Sequence, residues 1–156
     1  MSMDKDIDLD EQYDKIYRYC YFKLHSREKA EDITQETFLR FFENNSYSDT
    51  GQVLQYLYSI ARHLCVDVYR KPQTEALTDE IGTFFPEDNL LTTISLKMAL
   101  SELDHEEQEL LLLRFANEIP VTVICKIFNL SRFAVYRRIS KILQKLQKKL
   151  GKEDFQ

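Results

Sequence analysis

The sequence predicts an all-α protein made of two small helical domains joined by a flexible acidic linker. Three observations predict it. Apolar residues recur at helical spacing along most of the 156-residue chain, as the buried stripe of a helix requires. Only three glycines and three prolines interrupt them, and such a scarcity of breakers suits helices. The periodicity lapses over 72–93, where Pro72, Gly82 and Pro86 stand among Glu75, Asp79, Glu80, Glu87 and Asp88, the composition of a linker. The expected boundaries are a disordered N-terminus at 1–8, a first domain at 9–71, the linker at 72–93, a second domain at 94–152 and a tail at 153–156.

The first helix follows from Leu9, Tyr13, Ile16, Tyr17, Cys20 and Leu24, which fall on one face over about four turns. His25-Ser26 breaks it, and Ser26 is placed to cap the next helix. That second helix covers Arg27–Glu43, with Ala30, Ile33, Thr37, Phe38, Phe41 and Phe42 on its apolar face. Glu31, Asp32, Gln35 and Glu36 lie opposite. They read either as solvated charges or as a recognition surface for a basic partner, and the pattern alone leaves both open.

Asn44–Gln52 is a loop by composition. A third helix follows over Val53–Arg70, buried through Leu54, Leu57, Ile60, Ala61, Leu64 and Val68. A second stripe holds Tyr56, His63, Asp67 and Arg70, and a third holds Tyr58, Arg62 and Tyr69. Aromatics beside arginines suit single-stranded nucleic acid, because bases stack on rings and phosphates meet guanidinium groups. The same stripes equally fit tyrosines laid against neighbouring helices. Within the linker, Phe84-Phe85 is too apolar to be idle and is expected to dock against something.

Helix resumes over Ile94–Leu103. Asp104 with Glu107 three residues later forms a capping-box pattern. The helix it opens carries Leu110, Leu111, Leu113 and Phe115 and ends near Asn117. Pro120 then suits the first turn of a short helix over Val121–Phe128. Asn129-Leu130-Ser131 makes a tight connection, with Asn129 fitted to a left-handed helix end and Ser131 to an N-cap. The last helix has an apolar stripe of Val135, Ile139, Ile142, Leu146 and Leu150.

Short helix, three-residue turn and basic helix form the pattern of a helix-turn-helix, whose second helix enters the DNA major groove. The competing reading is an antiparallel helix pair with a solvated lysine face. Charge is segregated along the chain. The segment 131–152 holds Arg132, Arg137, Arg138, Lys141, Lys145, Lys148, Lys149 and Lys152 and no carboxylate. Setting these eight cations aside takes the net charge from −5 to −13. A basic strip on an acidic body fits nucleic acid met with a partner's help.

Several functions are disfavoured. Cys20, Cys65 and Cys125 are widely spaced without a C-x-x-C, and His25, His63 and His105 share no ligand spacing with them. Reduced, partly buried thiols and no metal site are expected. No cofactor, small-molecule substrate, signal peptide or membrane insertion is expected, and the expected location is the cytoplasm. No nucleophile constellation, catalytic carboxylate pair or phosphate loop appears, so an enzyme is not expected.

Three stretches resemble the bacterial extracytoplasmic-function (ECF) sigma factors, the smallest class of the sigma family of RNA polymerase subunits. AEDITQETFLRFF at Ala30–Phe42 is similar to the core of the family's region 2. YLYSIARHLCVDVYRK at Tyr56–Lys71 resembles its aromatic-Leu, Ile-Ala-Arg and Asp-x-x-Arg pattern. LSELDHEEQELLLLRF at Leu100–Phe115 looks like the start of region 4. Their order and spacing make the resemblance specific, and it covers about Leu9 to Leu150.

The resemblance implies a region 2-like three-helix unit and a region 4-like helix-turn-helix unit. It implies a subunit that binds core RNA polymerase, directs it to promoters and helps open the −10 region without nucleotide hydrolysis. Asp32, Gln35, Glu36 and Leu39 would meet the β′ clamp helices. Tyr56, Tyr58, Arg62, His63, Tyr69, Arg70 and Lys71 would hold −10 DNA. Ser131, Arg132, Phe133, Tyr136, Arg137, Arg138 and Lys141 would meet the −35 element, and the helices over 94–117 would pack on the β flap. An anti-sigma factor is a common partner in the family.

The chain departs from the family at Tyr56, often Trp, at His63, often Asn, and at Val123-Ile124-Cys125, Asn129 and Ala134 in the helix-turn-helix. Two other functions compete: a stand-alone helix-turn-helix regulator, and a sigma-like protein that binds polymerase or an anti-sigma factor without opening promoters.

Overall fold

The computed structural model describes residues 8–43, 50–70 and 97–150, and it is helical throughout, with no strand among them. The chain divides into two compact units, Met1–Asp79 and Glu80–Gln156. The division falls within the stretch read as linker. That stretch, Phe84-Phe85 within it, the tail at 153–156 and residues 1–7 lie outside the described residues. No helix among the described residues is long and apolar enough to cross a membrane.

The first unit is a three-helix bundle of α1 (Leu9–Leu24), α2 (Arg27–Glu43) and α3 (Thr50–Arg70), each packed on the other two. Asp8, read from sequence as part of a disordered N-terminus, instead caps α1. Its carboxylate accepts from the Asp10 and Glu11 amides at 3.0 and 3.3 Å, satisfying donors that a helix start leaves open. His25 ends α1 in the left-handed region at φ 56°. The Ser26 hydroxyl then accepts from the Lys29 amide at 3.2 Å, as expected of a cap for α2. A two-residue connection therefore turns the chain back on itself.

Ile16, Tyr19, Cys20 and Phe22 of α1, Ala30, Thr34, Thr37, Phe38 and Phe41 of α2, and Leu54, Leu57, Tyr58, Ala61, Leu64 and Cys65 of α3 make the core. Thr34 and Thr37 enter it because their hydroxyls donate to the Ala30 and Ile33 carbonyls, at 2.6 and 2.7 Å. One boundary and one buried-face assignment differ from the sequence reading. Thr50–Gln52, assigned to the loop, open α3. Phe42, assigned to the apolar face of α2, is exposed, with its ring against those of Phe38 and Phe41.

The described part of the second unit opens with a helical segment at 97–101 that buries Ala99 and Leu100. Asp104 forms the expected capping box: the Glu107 amide donates to its carboxylate at 2.8 Å, and its own amide donates to Glu107 at 3.0 Å. This opens α4 (His105–Leu111). Gln108 is buried and donates through Nε2 to the carbonyls of Leu100 and Leu103, at 2.6 and 3.3 Å. It thereby ties the preceding segment to α4.

α4 does not run on as regular helix to Asn117. Leu112–Ala116 is π-helical, and the Asn117 amide donates to the Leu112 carbonyl. Leu110, Leu111, Leu112 and Leu113 are all buried. Successive residues of a helix point in different directions around its axis, so the chain at Leu110–Leu113 is enclosed on most sides. Phe115, which the same segment carries, stands exposed with the Arg114 guanidinium 5.7 Å from its ring centre.

α5 (Val121–Phe128) buries Val121, Val123 and Ile124. Pro120 sits at its N-cap, one residue before the first turn, and Asn129 ends it at φ 57°, ψ 50°. Ser131 caps α6 (Arg132–Leu150) by accepting from the Ala134 amide at 3.0 Å. Val135, Ile139, Ile142 and Leu146 turn inward as the spacing requires. Short helix, tight left-handed turn and long basic helix thus stand in the order of a helix-turn-helix.

Candidate nucleic-acid interface

Three surfaces carry the residues singled out by sequence. On α2, Asp32, Gln35, Glu36 and Leu39 follow one another at steps of three, one and three, which lays them on one strip. The strip faces away from the core. Asp32 and Gln35 are exposed and Leu39 is 60% exposed. Glu36 accepts from Arg40 Nε at 2.9 Å one turn on, which fixes a carboxylate beside an uncovered leucine. The strip therefore offers an exposed leucine with the Asp32 and Glu36 carboxylates on the same face, apolar contact with polar groups beside it.

On α3 the aromatic and basic candidates separate. Tyr56 and His63 are exposed on the outward face, with His63 Nε2 3.7 Å from the Asp67 carboxylate. Arg62 is half-buried at its edge. Tyr58 is not available to DNA. It is 0% exposed, with its ring edge-on to Tyr19 at 5.7 Å. The reason is the width of the buried arc: α1 and α2 both cover α3, so its core face extends past Leu57 and Ala61 to Tyr58 and Cys65. Lys71 and the side chains of Tyr69 and Arg70 lie outside the described residues.

On α6 the basic residues divide into two faces. Arg132, Phe133, Tyr136, Arg137 and Lys141 are exposed. Phe133 is 72% exposed, and the Arg137 guanidinium lies over its ring at 5.0 Å. Ser131, also singled out, is committed to capping through its hydroxyl. Arg138 belongs to the other face. Its guanidinium is 3.5 Å from the Glu106 carboxylate. Lys145 meets Glu107 at 2.5 Å and Lys149 pairs with Glu102. The hydrogen bond from Lys145 to Glu107 raises the lysine pKa above its ordinary value, with the Glu107 and Asp104 charges adding to it and desolvation opposing it.

Sequence reading missed these acidic partners. The Asp104–Glu107 capping pattern was a visible signal, but a helical wheel of α6 carries no information about which side meets α4. Chemically, an arginine-backed aromatic edge at the start of a second helix can meet base edges and phosphates in a major groove.

The chain matches the family model described as Sigma-70 region 2 over residues 9–75 and the one described as Sigma-70, region 4 over residues 99–148. It is 28% identical to the ECF RNA polymerase sigma factor SigW of Bacillus subtilis (strain 168), over 88% of this chain and 83% of that protein. It is 29% identical to the ECF RNA polymerase sigma factor BldN of Streptomyces coelicolor (strain ATCC BAA-471 / A3(2) / M145), over 81% of this chain but 52% of BldN. The fold is shared with the sigma factor RpoE from Bartonella quintana, solved in complex with the anti-sigma factor NepR. That match has a TM-score of 0.62 at 16% identity and covers 88% of this chain and 91% of RpoE.

Proposed function

This chain belongs to the sigma-70 family, in its extracytoplasmic-function class, and from that premise we propose how its surfaces divide the work of transcription initiation. The protein is a sigma factor: it binds core RNA polymerase, directs it to promoters and helps open the −10 region. The observation that carries this is the succession of a region 2 match and a region 4 match in a single chain. Sigma factors are transcription initiation factors without enzymatic activity, and we assign no catalytic residue here. The work is done where polymerase is, in the cytoplasm.

We assign 9–71 to core binding and the −10 element, 72–93 to a linker, and 94–152 to the −35 element and the β flap. Asp32, Gln35, Glu36 and Leu39 dock on the β′ clamp helices, supported by their common exposed strip. Tyr56, Arg62 and His63, with Tyr69, Arg70 and Lys71, engage the −10 strand. Tyr56 offers a ring on which an extruded base stacks, offsetting lost duplex stacking. Arg132, Phe133, Tyr136, Arg137 and Lys141 meet the −35 element. An anti-sigma factor is the partner we propose for the free protein.

Co-purification with bacterial core RNA polymerase tests the reading. A stable complex of the chain with core enzyme is expected. Failure to bind core, combined with tight affinity of the isolated chain for a palindromic duplex, would make it an ordinary helix-turn-helix regulator instead.

A further inference from the structure

Arg138, Lys145 and Lys149 are spaced by seven and four residues, so they form one strip along α6 beside its buried stripe. Each meets a different carboxylate: Glu106, Glu107 and Glu102. All three carboxylates come from one short stretch around the start of α4, within the same compact unit. Arg137, Phe133 and Lys141 lie on the outward side of the strip. We propose that Glu102, Glu106 and Glu107 are specificity-determining residues: they neutralise one side of α6 and confine DNA contact to the arc of Arg132, Phe133, Tyr136, Arg137 and Lys141. The inference rests on the reading of α6 as the −35 helix.

Fold stability does not account for these pairs. Both partners of the Arg138–Glu106 and Lys149–Glu102 pairs are solvent-exposed, as is Lys145, while Glu107 is largely covered and already held by the capping box, and exposed pairs contribute little to folding. Their effect on DNA binding is larger, because every cation that reaches a phosphate releases counterions and adds affinity for any sequence. Phosphate contacts position a protein but carry no sequence information directly. A helix with all its cations available would therefore bind all duplexes more tightly and discriminate less. The carboxylates hold three cations back and also repel phosphate from that side. What remains outward is an arginine fixed over an aromatic ring, a group suited to reading base edges.

The test uses holoenzyme reconstituted with core polymerase, on a promoter duplex with its −35 element intact or scrambled, across a range of salt. Glu102→Gln, Glu106→Gln and Glu107→Gln are combined. The Glu107→Gln change keeps a side-chain oxygen to accept from the Asp104 amide, so the capping box survives. The salt slope is expected to steepen by roughly 0.9 for each freed cation that finds a phosphate. Affinity for the scrambled duplex should rise more than for the intact one, so the discrimination ratio falls. Adding Arg138→Gln, Lys145→Gln and Lys149→Gln to this variant should return the slope to its parent value.

An unchanged slope and ratio in a variant of parental helicity overturns the proposal, as does a loss of affinity. If the triple variant does not fold, Glu106→Gln alone serves, since Glu106 lies outside the capping box and is exposed; it should steepen the slope by about 0.9. Arg137→Ala distinguishes failure of the proposal from failure of the reading beneath it. If it changes −35 discrimination while the glutamine variants do not, the proposal fails alone. If Arg137→Ala leaves discrimination untouched, the −35 reading of α6 fails first.

Discussion

The Arg137 guanidinium lies 5.0 Å from the centre of the Phe133 ring, one turn back along α6, and both residues are exposed. An exposed contact of this kind is worth about 0.5–1 kcal/mol, which biases a flexible cation toward one position before DNA arrives and lowers the side-chain entropy lost on binding. Arg137→Ala is expected to cost about 1–3 kcal/mol in −35-dependent binding and to relax discrimination between intact and scrambled −35 elements. Lys141→Ala should weaken all sequences alike and lower the salt slope by about 1. Anisotropy titrations of the holoenzyme at several salt concentrations distinguish the two. Identical affinity at every salt level would remove this face from DNA.

Tyr56 and Tyr58 stand two residues apart on α3 and face opposite ways, one outward and one into the core. Tyr58→Ala empties a core position against Tyr19, and the first unit should lose about 3–5 kcal/mol of stability. Tyr56→Ala removes an outward ring, and stability should stay within about 0.5 kcal/mol. Promoter opening should then fall in the Tyr56 variant at temperatures where both proteins remain folded. Denaturation followed by circular dichroism, paired with fluorescence of a base analogue in the −10 strand, checks both.

That pair also shows how far sequence reaches. Periodicity locates every described helix, and local chemistry identifies the caps at Ser26, Asp104, Asn129 and Ser131, because each depends on neighbours within four residues. Tyr58 escapes such reading because one helix's wheel does not reveal that two others enclose it. Arg138 reads as a DNA contact because its partner, Glu106, lies 32 positions earlier in the chain. The π-helical turn at Leu112–Ala116 leaves no sequence mark beyond a run of four leucines ending in Arg114-Phe115. Asp8 falls in the stretch expected to be disordered, although a capping aspartate before Leu9 is readable.

Asp104 closes a reciprocal pair of hydrogen bonds with Glu107. Asp104→Ala should cost α4 about 1 kcal/mol. Hydrogen exchange in the full chain is the measurement, with faster exchange expected at the amides of the first turn of α4. Unaltered protection there would mean that packing alone holds the helix start.

Asp32→Lys with Glu36→Lys reverses two charges on the proposed clamp strip. Both residues face outward, and the Glu36–Arg40 pair contributes about 0.3–0.5 kcal/mol to the helix, so helicity should persist. Polymerase affinity should fall by about 100-fold or more, since like charges brought together across an interface cost several kcal/mol. Unchanged binding would move the core-binding face elsewhere.

In vitro transcription from genomic DNA fragments, with core RNA polymerase and the purified chain, tests the central claim most directly. A promoter-specificity subunit should yield discrete transcripts that appear only when the chain is added, with starts preceded by a shared pair of sequence elements. A stable complex with core polymerase that yields no specific transcript would contradict it, leaving a polymerase-binding protein without promoter recognition.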